Sequence, residues 1–388
     1  MPTEPNHLVR PQAGSHCAQP QVLERAPTGQ IRPDLLMVGG TGRNSGKTEL
    51  ACRIIARHAP SEPVVGLKVT AVDRTDGHCP HGGDGCGVCS SLEVPWIVSE
   101  ELDRRPTKDS CRMLASGALR VFWLRSLRAQ LHRGAADLLS YVPRGWVGVC
   151  ESTSLRQLVE PGLFLMVRSP DGSSDKASAR KVAHLADRVV VSNGRSFDLE
   201  LDRISVVDGR WVLRREGCAV VIGGADAGPG ADRAAALSRT RASLESQFDR
   251  VVAGPRDPDP GRAAVPPAEL SGRPDEWCLV TPLLSDGVPP GLVNALFRRR
   301  AKVDAVVAVT RSDDQDVVLA IARSEILPDV IATMKQGPDA VTALGDRCAV
   351  RVLRPRTPGS GAELKGLSAT AQTAAAADPA RRRGTGPT

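Results

Sequence analysis

Short apolar runs alternate with segments of helical spacing through the first half of the chain. Each run ends at a glycine-rich or polar turn, which is typical of buried parallel strands. The helical spacing is clearest where Leu50, Ile54 and Ile55 share one side of a predicted helix. The predicted strands are 35–38, 64–69, 120–124, 146–150, 163–167 and 188–192, and the predicted helices are 49–58, 112–117, 127–139 and 176–186. This alternation predicts a mainly parallel α/β sheet.

A second series of apolar runs and helical segments begins at Cys218. Its predicted strands are 219–222, 251–253, 278–281 and 305–310, with helical segments such as 234–247 and 290–299. Within residues 199–217, Asp208-Gly209 separates two short apolar runs and predicts a β-hairpin that closes the first series. We therefore predict two α/β domains, 34–217 and 218–354, between a proline-rich disordered leader, 1–33, and a disordered basic tail, 355–388.

Composition narrows the classes of protein that fit this pattern. The chain has 388 residues, of which 41% are hydrophobic and 24% are charged, as in ordinary globular proteins. Aromatic residues make up 3%, which argues against a base-stacking nucleic-acid binder. The net charge of +7 comes mostly from arginines spread along the chain, with a dense cluster at Arg381–Arg383. No stretch has the character of a membrane helix or a secretion signal, so we expect a cytoplasmic protein.

A glycine-rich segment joins the first predicted strand to the first predicted helix, which is the context that a phosphate-binding loop requires. The segment contains Gly40, Thr41, Gly42, Arg43, Asn44, Ser45, Gly46, Lys47 and Thr48. We expect its backbone N–H groups to bind phosphate, Lys47 to reach the β- and γ-phosphates, and Thr48 to hold Mg²⁺. The usual pattern has glycine at position 41, where this chain has threonine between two glycines. The alternative is a glycine-rich turn with a chance Gly-Lys-Thr.

A carboxylate follows another predicted strand, at Glu151. In a P-loop fold a residue at this place lies beside the loop and contacts the metal ion, directly or through water. The alternative is a strand that ends in a surface glutamate. After strand 188–192, Asn193 is a candidate reader of the nucleotide base, although Asn-Gly is more often a turn.

Soft metal ligands are concentrated in the polar loop after the second predicted strand. The candidates are His78, Cys79, His81, Cys86 and Cys89. Cys86 and Cys89 have the spacing with which two thiolates chelate one ion, and Cys79 with His81, or with His78, completes a tetrahedral set. We predict a metal site formed by Cys79, His81, Cys86 and Cys89. An inert loop and a redox-active cysteine pair are the alternatives.

The remaining cysteines bear on which metal this loop would bind. A mixed Cys/His set fits Zn²⁺, whereas an iron–sulfur cluster needs three or four cysteines, so Cys111 or Cys150 would join it. We interpret the other cysteines, such as Cys52, Cys218 and Cys348, as small buried hydrophobic residues.

The first predicted domain resembles the MobB-type proteins of molybdopterin-guanine dinucleotide biosynthesis over residues 34–195. Besides the phosphate loop, the resemblance rests on Val65-Gly66-Leu67-Lys68 and on a signature that runs from Lys108-Asp109-Ser110-x-Arg112 to Ala115-Ser116-Gly117-Ala118. It implies a guanine nucleotide, with Asp109 and Glu151 near its metal ion. Ser152 stands where the family usually has glycine, and the Cys/His segment is not part of the common family pattern.

The second predicted domain resembles the MobA-type nucleotidyltransferases, which implies a Rossmann-like α/β fold. Residues 219–224 keep the family's opening strand and glycine pair. The triphosphate-binding residues differ, because Gly228 stands in place of an arginine and Arg233 in place of a lysine. Asp286 lies two residues beyond the place of the family's magnesium-binding aspartate. We therefore expect this domain to be degenerate, and inactive or very weak as a transferase.

Together these features predict a GTP-binding protein with slow GTPase activity that acts in molybdenum-cofactor maturation. Its catalytic residues would be Lys47, Thr48, Asp109 and Glu151, with GTP, Mg²⁺ and either Zn²⁺ or an iron–sulfur cluster as cofactors. The expected partners are the nucleotide, molybdopterin and cofactor-maturation proteins. We expect no membrane or specific nucleic-acid partner, and the sequence leaves open whether the chain forms a homodimer. Three alternatives remain: an active guanylyltransferase that uses Arg233 and Asp286, a metal-responsive module switched by nucleotide, and a small-molecule P-loop kinase.

Overall fold

In the computed structural model, the chain divides into two compact units, Met1–Leu213 and Arg214–Thr388. The residues that the structure describes are 30–42, 44–72, 92–170, 177–222, 231–253, 277–282, 284, 287–298, 300, 305–312, 315–335, 348, 350–353 and 373–374. The division falls after Leu213, whereas the sequence pattern begins the second domain a few residues later, at Cys218.

The first unit is a mixed α/β structure built on a largely parallel sheet, as the sequence predicts. Its described strands are β1 (Gln30–Gly40), β2 (Val64–Val72), β3 (Trp96–Glu100), β4 (Arg120–Leu127), β5 (Val147–Glu151), β6 (Val159–Arg168) and β7 (Arg188–Val191). They form a seven-stranded sheet in the order β3-β4-β2-β5-β1-β6-β7. The edge strand β3 pairs antiparallel with β4, and the described strands from β4 to β7 pair in parallel.

Helices cover both faces of this sheet. They are α1 (Lys47–His58), α2 (Asp109–Ala115), α3 (Leu131–Ser140) and the short α4 (Ala177–Arg180). The apolar sides of α1 and α2 pack against strand residues such as Leu36 and Val121. The apolar side of α3 packs on the opposite face, against residues such as Leu35 and Phe122. Because neighbouring strand residues point to opposite faces, both faces of each central strand are buried, which explains the continuous apolar runs in the sequence.

Three elements of the first unit differ from the sequence prediction. β1 begins at Gln30, inside the predicted leader, because residues 30–32 pair with β6. Pro33 is tolerated there since the register shifts between Arg32 and Leu36, where a missing N–H costs little. The edge strand β3 is absent from the prediction. The predicted helix 176–186 is broken, with α4 followed by a 3₁₀ turn at Ala183–Leu185.

The hairpin predicted around Asp208-Gly209 is confirmed, and it follows the last strand of the first sheet. β8 (Ile204–Val207) and β9 (Arg210–Leu213) pair antiparallel. Asp208 and Gly209 connect them with positive φ angles of 51° and 69°, as a tight two-residue turn requires. Trp211 is fully buried, and its Nε1 donates a hydrogen bond of 3.0 Å to the carbonyl of Gly148 in β5. The hairpin is therefore fastened to the core of this unit.

The second unit contains another seven-stranded sheet, in which parallel and antiparallel pairs are mixed. Its described strands are β10 (Arg215–Ile222), β11 (Phe248–Ala253), β12 (Trp277–Pro282), β13 (Ala305–Ser312), β14 (Gln315–Arg323), β15 (Val350–Leu353) and β16 (Thr373–Ala374). Their order is β11-β10-β12-β14-β13-β15-β16, with β14 antiparallel to both neighbours. β14 and β15 are absent from the predicted strands, and β16 lies within the predicted tail.

The described helices of the second unit are Ala231–Glu245, Pro290–Phe297 and Leu327–Lys335. They lie close to the segments whose spacing predicts helices, apart from Leu327–Lys335, which the pattern leaves unassigned. Across the described residues of the chain, we find no helix with both the length and the apolar character needed to cross a membrane.

Candidate functional site

The connection between β1 and α1 has the geometry of a loop that wraps an anion. Gly46 caps the N-terminus of α1 with a φ of 92°, and Asn44 also adopts a positive φ, of 55°. The N–H of Leu50 donates to the carbonyl of Gly46, so the helix begins immediately after the loop. The N-terminal N–H groups and the dipole of α1 therefore face the loop, where they favour a negative charge.

The interior of this loop is packed around Lys47. Its Nζ donates a hydrogen bond of 2.9 Å to the carbonyl of Gly42, which holds the ammonium at the loop. A Cβ on Gly40 would lie 2.6 Å from Cγ and Cδ of Lys47 and 2.5 Å from Oγ of Ser45, so only glycine fits at position 40. The Ser45 hydroxyl is buried and has no hydrogen-bond partner among the described residues. A buried polar atom without a partner is costly, and a bound phosphate oxygen would satisfy it. Arg43 lies outside the described residues.

A residue that the sequence pattern does not single out anchors the start of the loop. The N–H of Gly40 donates to Oγ1 of Thr153 at 3.0 Å, and the Thr153 hydroxyl is 3.3 Å from the carbonyl of Gly40. Ser152 is buried, and its hydroxyl accepts a hydrogen bond from the N–H of Leu155. Thr153 therefore connects the segment after β5 to the start of the loop.

The hydroxyl of Thr48 donates a hydrogen bond of 2.8 Å to Oε2 of Glu151. The same carboxylate oxygen lies 3.3 Å from Nζ of Lys68, which also donates a short hydrogen bond to Oδ2 of Asp109. The predicted residues Thr48, Asp109 and Glu151 therefore lie in one cluster, beside the middle of β2 and the carboxyl end of β5. Lys68 joins them as a fourth member, which the sequence indicates only through the family resemblance.

Burial and charge give this cluster its electrostatic character. Glu151 is buried, and the side chain of Lys68 is 16% exposed. Burial raises the pKa of Asp109, but the hydrogen bonds from Lys68 and Thr48 and the positive charges of Lys68 and Arg112 outweigh it, so its pKa is lowered. Asp109 therefore stays ionised to a lower pH than an ordinary aspartate.

The donor atoms of this cluster fit Mg²⁺. The Thr48 hydroxyl and the carboxylates of Glu151 and Asp109 supply oxygen atoms, which Mg²⁺ prefers over nitrogen and sulfur. Within the described residues no group of three or more His, Cys, Asp and Glu side chains forms a metal site. A Mg²⁺ ion here would therefore complete its coordination with phosphate oxygens and water, as is usual for this ion.

An ion pair connects α2 to α1 next to the loop. Nη2 of Arg112 lies 2.6 Å from Oε2 of Glu49, and Nε of Arg53 lies 2.8 Å from the other oxygen of the same carboxylate. The guanidinium of Arg53 also lies over the ring of Phe197, 5.2 Å from its centroid. Arg112 thus links α2, whose first residue is Asp109, to α1.

A small pocket lies beside the loop, between α1 and the turn after β7. Its lining residues are Asn44, Gly46, Glu49, Ser192, Gly194, Arg195 and Phe197. Asn193, the candidate base reader, uses its side chain within this turn: Oδ1 accepts from the N–H groups of Arg195 and Ser196, and Nδ2 donates to Oγ of Ser196. The turn alternative for Asn-Gly is therefore the one that the structure bears out.

The predicted soft-metal ligands Cys79, His81, Cys86 and Cys89 lie outside the described residues, so the metal loop stays a prediction. Cys111 and Cys150 are both fully buried. Burial strongly raises the pKa of the Cys150 thiol, which disfavours the thiolate that an iron–sulfur cluster requires. Because the other cluster ligands lie outside the described residues, a role for Cys150 in a cluster stays a prediction. The interpretation of Cys52, Cys218 and Cys348 as buried residues is confirmed.

The candidate transferase residues of the second unit are likewise not placed. Residues 223–230 and Asp286 lie outside the described residues. Arg233 belongs to the helix Ala231–Glu245, and nothing is described of its side chain. The degenerate character of this unit as a transferase therefore rests on sequence.

Comparison with known proteins adds little to this geometry. No family model matches the chain, and no curated protein matches it. A solved structure with some similarity is the "apo" form of LpxK from Aquifex aeolicus in complex with ATP, with 12% sequence identity and a TM-score of 0.28. The match covers 80% of this chain and 90% of that one. A TM-score this low supports no inference, so the functional argument rests on the site itself.

Proposed function

We propose that the chain binds a nucleoside triphosphate with Mg²⁺ at the loop between β1 and α1 and hydrolyses it slowly. The observation that carries this proposal is the 2.8 Å hydrogen bond from Thr48 to Glu151. It joins the first turn of α1 to a buried strand-end carboxylate, beside a lysine held at the loop. The unsatisfied Ser45 hydroxyl and the N-terminus of α1 supply further groups for phosphate oxygens.

The residues of the site divide the work of binding and charge stabilisation. Bound Mg²⁺ would neutralise charge on the β- and γ-phosphates. Lys47 and the loop N–H groups would bind the phosphate oxygens and stabilise the negative charge that develops during transfer. Asp109 and Glu151 contact Lys68 in this structure and would bind Mg²⁺ in the nucleotide complex, so neither carboxylate is placed to take a proton from water. We therefore expect slow hydrolysis.

We further propose that the nucleotide is GTP and that the protein acts in molybdenum-cofactor maturation. The support is the MobB-type signature, whose residues make contacts around the loop. Lys68 binds Asp109, and Arg112 pairs with Glu49, which lies next to Thr48 in the first turn of α1. This more specific role depends on the residue resemblance, whereas nucleotide binding depends on the site geometry.

The test compares fluorescent GTP and ATP analogues on the full chain, with and without Mg²⁺. Lys47→Met should weaken binding at least about tenfold because it removes a charge-assisted contact to phosphate. Lys181→Met, which changes an exposed lysine of the same unit, should bind like the wild type. Absence of binding of both nucleotides to the wild type would overturn the proposal. Tighter binding of ATP would overturn its guanine part and leave the site in place.

A further inference from the structure

Lys68 lies among the oxygen atoms that the proposed function assigns to Mg²⁺. Its ammonium contacts Oδ2 of Asp109 and Oε2 of Glu151, and the second of these oxygens also accepts the hydrogen bond from Thr48. A divalent cation that binds these carboxylates would need the same oxygen atoms. The Lys68 ammonium and a divalent cation cannot both bind these carboxylate oxygens, because two positive charges repel each other strongly where little water screens them.

The strand register directs Lys68 into this position. Lys68 in β2 is the register partner of Glu151 in β5, so both side chains leave the same face of the sheet. Their side chains are 16% and 8% exposed. Asp109 approaches from the first residue of α2, which Arg112 and Glu49 fasten to α1. Three separate elements therefore converge on one ammonium group.

We propose that Lys68 is the internal cation of the metal site, and that a divalent cation displaces it when nucleotide binds. This inference rests on the proposed function. Without metal, Lys68 balances the charges of Asp109 and Glu151 and keeps the two carboxylates together. When a divalent cation takes their oxygen atoms, the flexible lysine side chain moves its ammonium toward the phosphates, which the proposed function places at the loop before Thr48. Lys68 is therefore a positioning residue without nucleotide and a phosphate ligand with it.

Displacement of this kind makes metal and nucleotide binding depend on each other. Without nucleotide, a divalent cation must compete with Lys68, so the free protein binds it weakly. With nucleotide, the displaced ammonium gains a new anionic partner, so the cation binds more tightly. By linkage, the cation strengthens nucleotide binding by the same factor. Removal of the Lys68 charge should reduce this factor.

The first test measures Mn²⁺ binding to the nucleotide-free full chain by the paramagnetic resonance signal of free Mn²⁺. Lys68→Met and Lys68→Gln should bind Mn²⁺ at least about tenfold more tightly than the wild type, because the internal competitor is gone. Lys68→Arg, which keeps the charge, and Lys181→Met, which changes an exposed lysine, should resemble the wild type. Equal or weaker Mn²⁺ binding by a folded Met or Gln variant would overturn the proposal.

The second test measures how far Mn²⁺ raises the affinity for a fluorescent nucleotide. The wild type should show a larger factor than Lys68→Gln, and an unchanged factor in the folded variant would overturn the proposal. Circular dichroism establishes folding of each variant. If the wild type binds no nucleotide, the proposed function fails, and the nucleotide-free Mn²⁺ comparison still decides whether Lys68 competes with a divalent cation.

Discussion

Thr48 and Glu151 lie 103 positions apart in sequence and share a hydrogen bond of 2.8 Å. The pairing of β1 with β5 brings them together, because Val38 near the end of β1 is the register partner of Glu151. Thr48 enters from the first turn of α1, after the loop has turned back over the sheet. This hydrogen bond therefore connects α1, which follows the phosphate loop, directly to the end of β5.

The first prediction concerns the charge of Glu151. Glu151→Gln keeps the size of the side chain and removes one anionic oxygen ligand from the cluster. We expect Mg²⁺-dependent nucleotide affinity to fall by about ten- to a hundredfold, as when an interaction that supports a metal ligand is lost. Binding without Mg²⁺ should change much less, which fluorescence titration can measure. Glu93→Gln, at an exposed position of the same unit, is the control. Equal loss of affinity with and without Mg²⁺ would contradict a role in metal binding.

The second prediction concerns the two neighbouring positions at the start of the loop. Gly40→Ala should weaken nucleotide binding at least about tenfold, because its Cβ would displace Lys47 and Ser45. Thr41→Gly, which restores the usual P-loop glycine, should alter affinity by no more than about twofold. Titration of both variants with the same nucleotide makes the comparison. A larger effect at position 41 than at position 40 would show that this account of the loop is incorrect.

The third prediction concerns His58 and acid stability. Its ring lies edge-on to Trp211, with centroids 4.9 Å apart, and burial together with the charge of Arg57 lowers its pKa. The unfolded chain therefore binds a proton more readily than the folded one, with an ordinary histidine pKa of about 6.5. Stability from neutral His58 is present above that pH and is lost as pH falls through it toward the lower folded pKa.

Urea unfolding of the full chain at pH 7.5 and 5.5 tests this pH dependence. His58→Gln should show a smaller loss of unfolding free energy between these pH values than the wild type, because it has no proton to gain. His132→Gln, at an exposed position, should lose as much as the wild type. If both variants show the wild-type pH dependence, another group causes it.

The fourth prediction concerns the Cys/His segment. Cys86→Ser should abolish stoichiometric metal in protein purified without oxygen, because one ligand of the predicted Cys-x-x-Cys pair is lost. Elemental analysis by mass spectrometry gives the metal and its amount. Cys17→Ser, at a cysteine outside the cluster in sequence, should retain the wild-type content. Absence of stoichiometric metal from the wild-type protein would contradict the predicted metal site.

In the first unit, the sequence pattern predicts the described parallel strands and misses the antiparallel edge strand β3, for a physical reason. β1, β2 and β5 are buried on both faces, so each appears as a continuous apolar run. β3 lies at the edge of its sheet, its residues are all partly exposed, and its apolar run is only three residues long, so the prediction does not include it. β14 does have an apolar run, but it pairs antiparallel with β12 and β13, an arrangement that periodicity does not reveal.

The candidate site divides in a similar way. Thr48 and Glu151 follow from the order of strand, loop and helix, because parallel strands place their carboxyl ends at one edge of a sheet. Thr153 does not follow, since its role depends on a hydrogen bond to the backbone of Gly40. Asn193 was a candidate from its position after β7, yet local geometry uses its side chain to close a turn. Side-chain roles that depend on backbone partners are the ones that a pattern of residue types misses.

The bare Cα of Gly40 has a consequence for how this loop can diverge. The methylenes of Lys47 lie next to it, so a side chain at position 40 would displace them, whereas position 41 accommodates the side chain of threonine. Two chains could thus have the same phosphate-loop structure although the spacing of glycines in their sequences differs. To recognise related loops, the glycine that contacts the lysine side chain, here Gly40, is therefore a better guide than the number of residues between glycines.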